Sequence, residues 1–264
     1  MKNLISKLIS VVLLFTVVFA NDAILTGKYI ATGYSAKNQS RFAAILSARV
    51  DAQRQLLEQI KGTHIDSTTT IENGMLKSDL IVTKINGILK NARVIKSTYD
   101  PKEGMASVTL AVGFNEVVAN ILSDKNLIKE INKDVNTSSK EIVGINEIKE
   151  TIYDGVIIDT RGLGMEPAII NRVFYKKQLI YDPTKVPQSV VVERGLAAYT
   201  INTNKAKAIL DSYGSKNPLI VKAIKLGNKK SDVEISKEDA KKITYSDEKN
   251  GFLSSAKIVF IVDN

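Results

Sequence analysis

The sequence predicts an α+β protein in two parts: an antiparallel sheet with one long packed helix, followed by a second small α+β domain. Three observations carry this. Residues 38–61 contain no proline or glycine and set Ala44, Ala48, Ala52, Leu56 and Ile60 on one i, i+4 ridge, with Gly62 where a C′ residue belongs. Val108, Leu110, Val112 and Phe114 alternate with small or polar residues, which is the period-two face of a half-buried strand. Residues 124–150 turn to lysine, glutamate and asparagine, the composition of a linker. The predicted boundaries are a leader at 1–20, a first domain at 21–123, the linker at 124–150 and a second domain at 151–264.

The leader has a cationic start in Lys2 and Lys7, an apolar run over residues 8–19 and a small-residue exit, Val18-Phe19-Ala20. This is the pattern of a secretory signal peptide cut after Ala20. At about 1.5 Å of rise per residue the run is too short to cross a ~30 Å hydrocarbon core comfortably, which disfavours the alternative of an uncleaved anchor. The chain has no cysteine, so an acylated lipoprotein start is excluded: Asn21 follows the cut, and no lipid anchor is expected. Hydrophobic residues make up 44%, enough to build cores without disulfides in an exported protein.

The formal charge of +9 admits an anionic partner. Export removes nucleic acid from reach. The lysines are also scattered in pairs (Lys176-Lys177, Lys229-Lys230, Lys241-Lys242) without the interleaved aromatics of single-strand binders. Cell-wall polymer and anionic lipid remain.

In the first domain, residues 24–34 alternate loosely and read as an opening strand, and the long helix follows. Its three ridge alanines allow close approach to a sheet face. Ile45, Leu46 and Leu57 flank the ridge. The β-branched run in residues 64–72, ended by Asn73-Gly74, reads as a strand, and residues 79–86 and 88–99 read as two more around Asn86-Gly87. Asp100-Pro101-Lys102-Glu103-Gly104 forms the turn of a hairpin joining 92–99 to 105–114, and Asn115 is placed to cap a short helix ending near Leu122. The linker is expected to be helical at its start.

The second domain opens with the buried-strand run Val156-Ile157-Ile158 and a loop over residues 159–167. Strands are expected at 172–175 and 178–181 with a tight turn at Lys176-Lys177, and at 196–201, 219–224 and 258–262, the last continuous in apolar residues and therefore central. Helices are expected at 204–213, before Gly214, and after Ser236, whose spacing to Asp239 resembles a capping box. No tandem repeat is visible.

No catalytic constellation emerges. His64 is the sole histidine and reads as a surface strand-edge residue, and with no cysteine a thiolate or multi-histidine metal site within one chain is excluded. Ser254-Ser255-Ala256-Lys257 has serine–lysine spacing but runs into a strand and lacks companion motifs, so it is rejected as a nucleophile. Glu238-Asp239 suits the first turn of a helix. No catalytic, cofactor or metal residue is assigned. The most specific-looking loop is Arg161-Gly162-Leu163-Gly164, bracketed by Asp154 and Asp159. Its glycines can bring N–H groups to an anion, with Arg161 adding charge. The competing readings are a turn that needs positive φ, which the weak motif favours, and a contact with a neighbouring subunit.

The run Ala44-Ile45-Leu46-Ser47-Ala48-Arg49-Val50-Asp51-Ala52-Gln53-Arg54-Gln55-Leu56-Leu57-Glu58-Gln59-Ile60-Lys61-Gly62, then Gly87-Ile88-Leu89-Lys90-Asn91-Ala92-Arg93-Val94 and the closing alternating strand, resembles the bacterial envelope family of the Helicobacter twenty-kilodalton lipoprotein. That family includes flagellar basal-disk protein P and is similar to the N-terminal domain of flagellar assembly protein T. The likeness covers residues 25–122 and is one of fold pattern. It implies a non-enzymatic envelope protein, in some members a subunit of rings around the flagellar motor. The missing lipoprotein cysteine departs from the pattern. The second half, around residues 159–167 and 235–240, looks like a recurrent companion domain of exported bacterial proteins with no activity attached.

Two functions are therefore expected. The first is a soluble periplasmic or outer-membrane-associated protein with a structural or assembly role, through protein partners in the envelope or self-association. The second is a periplasmic binding module for an anionic cell-wall or lipid group, using Arg161, Gly162 and Gly164.

Overall fold

The structure, a computed structural model, describes residues 21–133, 135 and 151–264; the predicted leader and most of the predicted linker lie outside the described residues. The fold is α+β, with antiparallel and parallel sheets. The first half comprises α1 (Asn21–Thr26), β1 (Lys28–Tyr34), α2 (Arg41–Lys61), β2 (His64–Asp66), β3 (Thr69–Thr70), α3 (Ile71–Lys77), α4 (Asp79–Lys90), β4 (Arg93–Asp100), β5 (Met105–Gly113), α5 (Phe114–Leu122) and α6 (Lys125–Ile131).

Strands β1, β5 and β4 form an antiparallel sheet with β5 in the middle. The expected alanine ridge of α2 is fully buried against it, and Ser40 caps the helix by accepting the Ala43 N–H. The helix crosses β1 at Gly33, where a Cβ would stand 2.2 Å from the Ala48 carbonyl oxygen and the Ala52 nitrogen. The polar flank of α2 closes the outer edge of β1: Gln59 donates to the Ile30 carbonyl (2.9 Å), Gln55 to the Thr32 carbonyl (3.2 Å), and Asp51 accepts the Tyr34 N–H (3.1 Å). Leu46, expected beside the ridge, points outward with Phe42 and Val50.

Residues 79–86 and the start of 88–99 are helix α4, not strands. Ile81, Ile85, Ile88 and Leu89 are buried at helical spacing, and Ser78 caps the helix. The β-branched content of Ile81-Val82-Thr83 suggested a strand, and burial of one helical stripe overrides that preference. Asn73-Gly74 does not end a strand either. Thr70 and Asn73 form a reciprocal capping box that starts α3, leaving only the short β2–β3 pair of the expected strand at 64–72. Helix α5 begins at Phe114, two residues before a start capped by Asn115, and that ring packs 6.0 Å from Tyr29 in the core; Asn115 lies inside the first turn and Gly113 supplies no side-chain cap. The linker's helical start is α6, capped by Asp124, with Leu127 and Ile131 buried on the first half.

The second half comprises β6 (Val156–Asp159), β7 (Val173–Tyr175), β8 (Gln178–Tyr181), a 3-10 turn (Pro183–Lys185), α7 (Gln188–Arg194), β9 (Ala198–Thr200), α8 (Thr203–Ser212), β10 (Leu219–Lys222), β11 (Lys225–Leu226), β12 (Val233–Glu234), α9 (Lys237–Asn250) and β13 (Ile258–Ile261). Strands β10, β6, β13 and β9 form a parallel sheet in that order, so the continuous apolar strand β13 lies between two partners. One face buries Ile157, Val259 and Ile261 against Ala206 and Leu210 of α8, while Val156, Ile158, Ile258 and Phe260 join the main core. Helix α9 starts at the predicted Ser236 cap but runs to Asn250, longer than the brief helix expected.

Strands β11, β12, β7 and β8 form a second sheet, with β12 parallel to β7 and the other pairs antiparallel. The main apolar core is continuous across both halves. Their seam is also polar: the Ile169 and Ile170 N–H groups donate to His64 and Ile65 carbonyls at 2.9 and 2.6 Å, and Ser67 exchanges bonds with Ser231 and the Lys230 N–H.

Candidate functional site

The glycine loop leaves the carboxyl end of β6. The structure brings Arg161, Gly162 and Gly164 together, and their donors are taken up within the chain. Arg161 grips Asp159 through Nε at 2.8 Å and through Nη2, and this partner holds the Asp159 carboxyl below its ordinary range. The Gly162 and Gly164 N–H groups donate to the two carboxylate oxygens of Asp263, at 2.8 and 3.4 Å. Both glycines have positive φ (83° and 69°), as the turn reading required. The loop is thus a small anion cradle filled by the chain's own carboxylate. Asp263 reaches it because β13 lies in parallel register beside β6.

A different cleft, of about 420 Å³, lies on the outer face of the second sheet. Strand alternation builds it. Along β7, Val173 faces the core while Arg172, Phe174 and Lys176 face the cleft. The register of β12 on β7 puts Glu234 beside Phe174, with Asp232 preceding the strand beside Arg172, and β11 adds Lys225 opposite Glu234. A tight turn closed by Gly227 N–H to the Asp232 carbonyl (2.8 Å) carries Asn228 and Lys229. Val135 completes the lining from the side of α6.

The floor of the cleft is Arg172, only 1% exposed. One guanidinium nitrogen donates to Asn132 Oδ1 at 2.6 Å, while Nε is buried with no hydrogen-bond partner among the described residues. A buried guanidinium N–H without an acceptor is costly in a folded protein and calls for a bound partner or water. Asn171, next in the chain, is in the same condition at both amide atoms. Asp232, 4% exposed, accepts the Arg172 backbone N–H at 2.9 Å through Oδ1. Burial pushes its carboxyl up to about 6, against the opposing pull of that N–H, the Arg172 guanidinium and Lys229. Lys229 pairs at 2.6 Å with Asp66 of the first half; burial works against the Asp66 charge, but Lys229 and Thr68 outweigh it and hold the carboxyl below its usual range.

Five basic side chains line the cleft against two acidic ones. Lys225 is 3.3 Å from Glu234 and Lys229 is spent on Asp66, while Arg172, Lys176 and Lys177 make no ion pair among the described residues. The arrangement offers an anion a pre-desolvated guanidinium, surrounding positive charge and a carboxyl able to exchange a proton near neutrality. Among the described residues, no group of three or more His, Cys, Asp or Glu side chains is arranged to hold a metal ion.

The sequence reading placed Lys176-Lys177 in a turn but passed over Arg172. The signal present was the alternation Arg172-Val173-Phe174-Tyr175-Lys176, which puts two cations and an aromatic on one strand face. Nothing local connects Asp232 to Arg172. His64 sits in β2 as expected, yet at the seam between the halves rather than on a free edge, with Nδ1 buried and unpartnered among the described residues. Ser254-Ser255-Ala256 lies in the turn between α9 and β13. No described helix is long and apolar enough to cross a membrane.

Among curated proteins, none matches this chain. Residues 155–264, from the residue before β6 through β13 and including most of the cleft, are similar to the family described as Treponema pallidum Tp0624, second domain.

Proposed function

We propose that this is an exported, non-catalytic envelope protein that holds an anionic group in the cleft over Arg172. The observation that carries the reading is the buried guanidinium with an open Nε beneath an excess of lysines. A buried guanidinium with one N–H left open adds nothing to a scaffold, whereas a binding site spends that desolvation in advance. The signal-like leader and the envelope resemblance of residues 25–122 support the location. The test is co-sedimentation with peptidoglycan and with vesicles of phosphatidylglycerol or phosphatidylcholine, at low and high salt. Binding to an anionic partner that weakens with salt, and weakens further in a Lys176→Ala, Lys177→Ala double variant, is expected. Salt-insensitive binding unchanged by the double variant refutes it.

A second reading, assembly through self-association or envelope partners, including the flagellar role implied by the resemblance, draws on one feature. Strand β4 has no partner on its outer edge among the described residues, and Val94 and Ile95 are exposed on it. Light scattering of the purified protein and of Val94→Lys decides it: a monomer in both cases removes self-association.

A further inference from the structure

Resting on the anion-binding reading, we infer that the ligand of the cleft is a phosphomonoester, its phosphoryl group on Arg172 in a shared-proton contact with Asp232 and its organic body on Phe174. The geometry forces a choice of anion. Asp232 lies beside Arg172 in the sheet and accepts its backbone N–H through Oδ1, while Oδ2 has no hydrogen-bond partner among the described residues. Arg172 and Asp232 line the same cleft from adjacent strands, so an anion seated over Arg172 has the Asp232 carboxyl beside it. Two oxyanions at hydrogen-bond distance repel in a site shielded from water, unless one proton lies between them.

A phosphomonoester supplies or accepts that proton readily, because its second ionisation falls near pH 6. A sulfate ester brings no proton and is too weak a base to share one held by Asp232, and an ordinary carboxylate, with a pKa of about 4, holds one poorly at neutrality. The buried position of Asp232 favours the same protonated contact from the protein side. The balance is simple: a phosphomonoester dianion, the Asp232 carboxylate and one proton from solvent give the complex, with no covalent change. Binding above neutrality therefore takes up one proton, and affinity falls about tenfold per pH unit there.

The rest of the cleft describes what hangs from the phosphate. At about 420 Å³ it exceeds the needs of a bare tetrahedral anion and lies in the range of small-molecule sites. Phe174, two positions along the same strand face, is half-buried and offers an apolar surface next to the guanidinium. Lys176 and Lys177 sit at the β7–β8 turn, where their charge draws anions in from solution.

The experiment is isothermal titration of the purified protein with phenyl phosphate, its isostere phenyl sulfate, and inorganic phosphate, near pH 6.5 and 8.5, in two buffers of different ionisation enthalpy. Phenyl phosphate is expected to bind at least tenfold more tightly than phenyl sulfate, with one proton taken up at the higher pH. Asp232→Asn is expected to abolish both the preference and the proton uptake while still binding both esters. Arg172→Gln weakens both esters. Should that variant fail to fold, Lys177→Ala, at an exposed position, weakens both without changing their ratio. Equal binding of the two esters without proton uptake overturns the phosphomonoester assignment and leaves anion binding standing. No binding of any anion, by the wild type or Asp232→Asn, overturns both. Inorganic phosphate bound as tightly as phenyl phosphate overturns the place given to Phe174.

Discussion

Replacing Asp232 with asparagine is expected to stabilise the folded, ligand-free protein above pH 6. The side chain is almost fully buried, and burial lifts its carboxyl from 3.8 to about 6. At about 1.4 kcal/mol for each tenfold change in proton affinity, ionising Asp232 in the folded state costs about 3 kcal/mol relative to the unfolded chain. The sign follows from proton binding. Between pH 3.8 and 6 the folded protein keeps a proton that the unfolded chain has lost, so this group makes stability fall as pH rises through that window. The full cost is present at pH 7.5, about half of it near pH 5, and none below 3.8. Asparagine keeps a carbonyl oxygen for the Arg172 N–H, a bond of 2.9 Å, and removes the charge. Urea unfolding of both proteins at pH 7.5 and pH 5, with the slope of the transition checked for constancy, measures the difference. Asp232→Asn should be more stable by about 3 kcal/mol at the first pH and by about half that at the second. A destabilised variant at pH 7.5, or a gap that does not change with pH, refutes the reasoning. Such a cost at a cleft residue is what the proposed binding role predicts.

Three other substitutions probe the rest of the fold. Lys229→Ala strands the Asp66 carboxylate, 1% exposed, with Thr68 its one remaining side-chain partner among the described residues, and should cost about 3–5 kcal/mol in denaturant unfolding; Asp66→Asn in the same background should restore part of it. Gly33→Ala drives a methyl group to 2.2 Å from α2 backbone atoms that cannot move alone, so a loss of at least about 3 kcal/mol is expected, read as a lowered melting temperature. Arg161→Ala removes an ion pair whose arginine is 47% exposed and should change stability by at most about 1 kcal/mol. The same variant should leave phenyl phosphate binding unaltered, because the loop already closes on Asp159 and Asp263.

What the sequence determined by itself is what short-range periodicity encodes. The alanine ridge of α2, the β4–β5 hairpin, the strand Val156-Ile157-Ile158, the central β13 and the Ser236 cap are written in runs whose side chains meet within a few residues or on one face. Where β-branched content and helical spacing disagreed, as in α4, burial against α2 and α5 decided, and a propensity of under about 1 kcal/mol per residue gave way to it. The candidate site belongs wholly to the tertiary structure. Arg172 and Asp232 are 60 residues apart in the chain and meet through the parallel pairing of β7 and β12. Distance in sequence likewise hid the carboxylate of Asp263 from Gly162, 101 residues before it. Whether a charge is solvated, paired or buried with a donor left open depends on which strands lie side by side, and that is a property of the folded core.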